Sequence, residues 1–189
     1  MKALLAILTL LSAALSFAAE TNACTKITLE REYDFELLEN PGRSWKNVTD
    51  TIGEKYPGLE GTYLYLPTNS HGVLQISNGE NRGTLVIPGF DDFSEMEMRL
   101  TARCHSHPEE ADSLTVGWIP EGGGATNTLA KLTVEPGFTT QAVSLSNAPQ
   151  GASIILNHGG KKTHHRIIVD SIAFLKIHTP KLGFYLKIR

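Results

Sequence analysis

The ten residues from Glu95 to Cys104, EMEMRLTARC, alternate without a break. Met96, Met98, Leu100, Ala102 and Cys104 are apolar, while Glu97, Arg99, Thr101 and Arg103 are polar. Successive side chains of an extended chain point to opposite faces, so the pattern predicts a strand with one buried face and Cys104 turned inward. Met and Glu favour helices by intrinsic propensity, but five consecutive alternations outweigh that preference.

The same period recurs in DSLTVGWI, which places Leu114, Val116 and Trp118 on one face. Further strands are expected in TKITLERE, GTYLYLP, GVLQI, GTLVIPG, TLAKLTVE, FTTQAVSL, ASIILNH and HRIIVDSIAFLKI. Between them lie PTNSHG, SNGENRG, PEGGGATN, EPGF, SNAPQG and NHGGKK, rich in the residues that tight turns require. Short strands at this spacing predict a β-sandwich or barrel. NVTDTIGEKY is the one plausible helical stretch, and no repeat or linker divides the chain.

The chain begins with Lys2, a largely apolar run from Ala3 to Leu11, and small residues up to Ser16 and Ala18. This is the build of a secretory signal peptide spanning residues 1–18, with cleavage after Ala18. The apolar segment falls short of the roughly 20 residues a membrane-spanning helix needs, and no later segment reaches it. An exported protein is expected, whether periplasmic, cell-surface or secreted, with a single domain over residues 19–189.

Removing the first 18 of 189 residues leaves 171, enough for one ordinary core. Lys2 leaves with them, so 16 basic residues face 20 acids, a net charge of about −4. No Lys/Arg tract stands out, which removes the electrostatic footprint of a nucleic-acid binder. Cys24 and Cys104 would meet oxidising conditions, where they can form a disulfide. A lipid-modified Cys24 is the alternative, although Thr21-Asn22-Ala23 lacks the apolar residue usual before such a cysteine. Asn47-Val48-Thr49 matches the N-glycosylation pattern.

Three segments carry a resemblance. YDFELLENPGRSW, GTLVIPGFDDFSEMEMRLTARC and RIIVDSIAF resemble the jelly-roll modules of secreted and cell-surface proteins, namely the carbohydrate-binding-module-like and MAM-like or choice-of-anchor sandwiches. The resemblance covers residues 27 to 177 and implies an all-β jelly-roll β-sandwich of two antiparallel sheets. It implies a module that binds, with a glycan or a cell-surface protein as partner. It also implies that Trp45 is the core tryptophan of the fold.

Inside RIIVDSIAF, Ile167 and Val169 form the inward face before Asp170, and Ile172 and Phe174 form it afterwards. A one-residue slip of parity in a strand that keeps one face buried requires a bulge at Asp170-Ser171. A carboxylate with limited access to water would there need a partner. The resembling modules hold a structural calcium between an N-terminal acid and an acid at this point, which implies Glu36 or Asp34 with Asp170. A hydrogen-bonded or Arg-paired Asp170 is the competing expectation.

Other constellations are weaker. His105 and His107 in CHSHPEE share one face of an extended chain and could chelate zinc with a third ligand from elsewhere, and KKTHHR adds a second cluster, His164 and His165. Exposed strand-end histidines are the plainer reading. No Gly-x-Ser-x-Gly elbow is present, and Asp91-Asp92 and Glu109-Glu110 read as turn chemistry, so no catalytic residue is assigned. Tyr63 and Tyr65, alternating on GTYLYLP, are the expected sugar-stacking pair, whereas Trp118 shares its face with core residues. The sequence therefore points to an exported, non-catalytic binding module. A small secreted hydrolase or lyase on the same fold, or an envelope structural subunit without a small ligand, remain the alternatives.

Overall fold

The computed structural model describes residues 25–77, 81–105, 110–159 and 165–179. The expected signal peptide, Cys24, His107, Glu109 and His164 lie outside the described residues. Ile27–His178 form one compact unit.

The strands in chain order are β1 Lys26–Tyr33, β2 Glu39–Asn40, β3 Lys46–Asn47, β4 Glu60–Thr62, β5 Leu64–Leu66, β6 Ser70–His71 and β7 Leu74–Ile76. They continue with β8 Thr84–Ile87, β9 Met96–His105, β10 Asp112–Ile119, β11 Asn127–Val134, β12 Thr139–Ser144, β13 Ser153–His158 and β14 Arg166–His178. The helix expected in NVTDTIGEKY is one turn, α1, Ile52–Lys55.

Seven strands form one sheet in the order β12-β9-β14-β7-β5-β3, with β1 also paired to β14. Five form the other in the order β11-β10-β13-β8-β4, while β2 and β6 pair separately. Every pairing with an assigned register is antiparallel. The core lies between the two large sheets. All five apolar residues of EMEMRLTARC are buried, Cys104 among them, and Leu114, Val116, Leu85, Ile154 and Leu156 face them from the other sheet.

The bulge forms where the parity slip requires it. β14 pairs Val169 with Ala102 and then Ser171 with Thr101, so Asp170 is the residue without a counterpart. Ile167 and Val169 before it, and Ile172 and Phe174 after it, are all fully buried. The Asp170 carboxylate is a different matter. It is exposed, so water solvates the charge and the burial that would have demanded a partner does not arise.

GTYLYLP is two strands, not one. β4 belongs to the five-stranded sheet and β5 to the seven-stranded sheet, with Tyr63 at the crossover in a left-handed conformation, φ 52°. Gly61 permits the approach, because a Cβ there would collide with the Thr84 carbonyl oxygen of β8. The shared face expected for Tyr63 and Tyr65 is lost at this corner, since strict alternation holds only while the chain stays extended.

Candidate functional site

The registers align one row of outward side chains across five strands. Asn47 stands opposite Tyr65, Tyr65 opposite Gln75, Gln75 opposite Ile168, and Ile168 opposite Arg103. At the usual strand spacing this row is about 19 Å wide. Gln75 and Ile168 form its floor, at 1% and 3% exposure, although neither belongs to the main core. Gln75 is held by donating from Nε2 to the Ser77 carbonyl at 2.8 Å.

The adjacent row pairs His105 with Arg166. Arg166 points outward because its neighbour Ile167 points in, and its guanidinium lies 3.5 Å from the centroid of the Trp45 ring. Trp45 immediately precedes edge strand β3, so the stack reaches over β7 and β5. Burial pulls the Arg166 pKa below its ordinary value, yet a guanidinium remains charged. On the opposite side, Arg103 sits 5.3 Å over the ring of Phe138, which precedes β12. Trp45 is 39% exposed and Phe138 47%.

Two aromatic rings, each stacked with an arginine, thus flank a stretch whose middle residues, Gln75 and Ile168, are buried. The two rows hold two guanidiniums and no carboxylate, in a chain of net charge −3. Asp170 adds an exposed acceptor two residues beyond Ile168. Thr101 and Thr140 continue the face, their hydroxyls 2.9 Å apart. Asn47 also lines a cleft of about 470 Å³ with Leu37, Lys46, Ile52 and Lys55, so the platform runs into a groove at the β3 edge.

The sequence-derived candidates scatter around this face. Tyr65 lies in the row, half-buried, whereas Tyr63 stands 40% exposed at the sheet crossover. Trp45, expected in the core, is on the surface. The loop before β3 carries it past the edge of the sheet, where Arg166 supplies the stacking partner. Trp118 packs against the core while partly exposed, and a bulge at Gly117 interrupts its strand's pairing with β11. Glu36 is exposed and 3.2 Å from His71 Nδ1; Asp34 accepts a hydrogen bond from the Glu36 amide at 3.2 Å. Neither joins Asp170 in a group of three metal-ligating side chains among the described residues. Asp92 does turn chemistry, accepting from the Ser94 amide and hydroxyl, each at 2.8 Å.

A second constellation lies inside the sandwich. Asp112 Oδ2 is 3.0 Å from His158 Nε2 and 2.8 Å from His165 Nδ1, and all three side chains are more than nine-tenths buried. Cys104 Sγ, an Asp112 carboxylate oxygen and a His165 ring nitrogen fall within 4.8 Å of one another. The parity of ASIILNH, in which Ile154, Leu156 and His158 share the inward face, was the available signal for His158. No pattern marked Asp112.

No family model matches the sequence, and no curated protein does either. Solved structures do match. A mutant of the family 29 carbohydrate-binding module CBM29-2 complexed with mannohexaose gives a TM-score of 0.51 at 8% identity, covering 80% of this chain and 92% of that one. The apo form of BiXyn10A CBM1 gives 0.50 at 12% identity, covering 80% and 99%. A CBM29-2 mutant complexed with cellulohexaose gives 0.50 at 9% identity, covering 82% and 94%. This chain shares the jelly-roll β-sandwich fold of those modules. Within that jelly roll, the Trp45–Arg166 face is the broad outer surface of the seven-stranded sheet.

Proposed function

We propose that this chain is an exported, non-catalytic module that binds a glycan along the outer face of its seven-stranded sheet. The observation that carries the reading is the Trp45 ring, 39% exposed and stacked by Arg166 at 3.5 Å, beside the row from Asn47 to Arg103. A flat ring offers a pyranose an apolar surface while its edge stays wet. The planar guanidiniums hold fixed donors for sugar hydroxyls or a uronate carboxylate, and their stacking restricts the freedom they would otherwise lose on binding.

Affinity electrophoresis against neutral and uronate-containing polysaccharides, followed by calorimetry on oligosaccharides, tests this. The protein is produced without N-glycosylation so that Asn47 stays unmodified. Retardation by at least one polysaccharide is expected, and Trp45→Ala should weaken it by roughly tenfold or more, equivalent to about 1.4 kcal/mol. Undiminished binding by Trp45→Ala, or release of reducing ends from the bound polymer, would overturn the reading.

A further inference from the structure

The buried ends of four strands carry a group that glycan binding does not use. Cys104 lies one residue from the end of β9, Asp112 opens β10, His158 closes β13 and His165 immediately precedes β14. β9 and β14 belong to one sheet, β10 and β13 to the other, so the group bridges the sandwich at one end.

We propose that Cys104, Asp112 and His165 bind one divalent transition-metal ion of the zinc type, with His158 holding the Asp112 carboxylate in place. Zinc bonds to sulfur, nitrogen and oxygen measure about 2.0–2.3 Å, so two ligands of one tetrahedral ion stand about 3.3–3.6 Å apart. The three atoms here lie within 4.8 Å of one another, so side-chain movements of up to about 1 Å close them on an ion.

The imidazoles supply the second observation. His165 Nδ1 is 2.8 Å from Asp112 Oδ2, yet it makes no hydrogen bond of acceptable geometry, and neither does His158 Nδ1. A buried ring nitrogen left so is costly. In His165 it lies beside the carboxylate without being directed at it, and a separation wider by about half an ångström would let both bind one ion.

The donor set narrows the ion. A thiolate with an imidazole favours zinc and its neighbours, while calcium and magnesium call for oxygen alone. Charge agrees as well. One thiolate and one carboxylate neutralise a divalent ion, so the buried site carries no net charge. The His158 contact to Asp112 Oδ2, at 3.0 Å, is the outer-shell hydrogen bond that a ligating carboxylate needs. A cleft of about 350 Å³, lined by Asp112, Ser113, Lys131, Thr133, Gly159 and His165, lets an ion and a water ligand enter.

The test uses the full exported chain, stripped with a chelator and titrated with cobalt(II) as a spectroscopic stand-in. One ion per chain is expected, with the visible bands of a tetrahedral ion and a sulfur-to-cobalt charge-transfer band that Cys104→Ala abolishes. His158→Asn should weaken affinity by roughly 10- to 100-fold. In the wild type, zinc at a hundredfold excess over Kd should raise the melting temperature of the stripped protein by roughly 5 to 10 °C. That measurement decides the matter if a variant fails to fold. Three outcomes would overturn the proposal. They are a melting temperature indifferent to zinc, restoration by calcium alone, and an intact mass showing Cys104 in a disulfide with Cys24.

Discussion

The two faces of β9 and β14 at one end of the sandwich carry opposite chemistries on adjacent residues. Arg103, His105 and Arg166 point out, and aromatic rings stack on the two guanidiniums. Cys104, His165 and Ile167 point in, at 5% exposure or less. A shift of one residue along the chain therefore exchanges a surface suited to sugars for a buried set of metal ligands. The difference teaches that on these strands position parity, more than residue type, decides what a side chain can do.

The strongest way to break the comparison is to remove the residue that sets the parity. Deleting Asp170 closes the bulge and forces either Ile167 and Val169 or Ile172 and Phe174 onto the outer face. Loss of cooperative thermal unfolding is the expected result. Asp170→Ala keeps the bulge, and because the carboxylate is exposed it should change stability by no more than about 0.5 kcal/mol. A large loss from the substitution would show that the carboxylate, by calcium or another partner, sustains the bulge.

A change confined to the outer face should touch binding and leave folding alone. Arg166→Lys preserves the charge but not the planar stack on Trp45. Glycan affinity should fall by roughly three- to tenfold, with melting temperature held to within a few degrees. Equal loss of both would mean that the stack is structural.

The smallest effect is expected far from either site. Lys176 Nζ lies 2.6 Å from Asp92 Oδ2, and that contact, with the Ser94 hydrogen bonds, holds the Asp92 carboxyl well below the usual carboxylate range. A depressed folded-state pKa contributes stability above the unfolded value and loses it as pH falls through the folded one. The contribution is therefore complete at neutral pH and fades only in strong acid. Asp92 is exposed and Lys176 partly so, and water screens the pair, so Lys176→Ala should leave the melting temperature at pH 7 nearly unchanged.

Much of the fold was legible because a strand with one buried face writes its register into the chain. The alternation of EMEMRLTARC placed Cys104 inward, and the slip in RIIVDSIAF placed the bulge between Val169 and Ser171. GTYLYLP was misread because one positive φ at Tyr63 turns the chain between sheets, and no local pattern marks that corner. Trp45 was misplaced for a related reason. Whether a loop tryptophan dips into the core or lies across an edge depends on a stacking partner 121 residues away, Arg166.

The chain by itself determined which residues face in, because burying an apolar face is a local requirement repeated every second residue. It determined an all-β fold, a sandwich or a barrel, on the same ground. Tertiary structure alone decided which inward residues meet. Cys104, Asp112, His158 and His165 come from four strands in two sheets, and their convergence depends on strand order, on the bulge in β14 and on the distance between the sheets. Those are properties of the assembled packing, and no segment carries them alone.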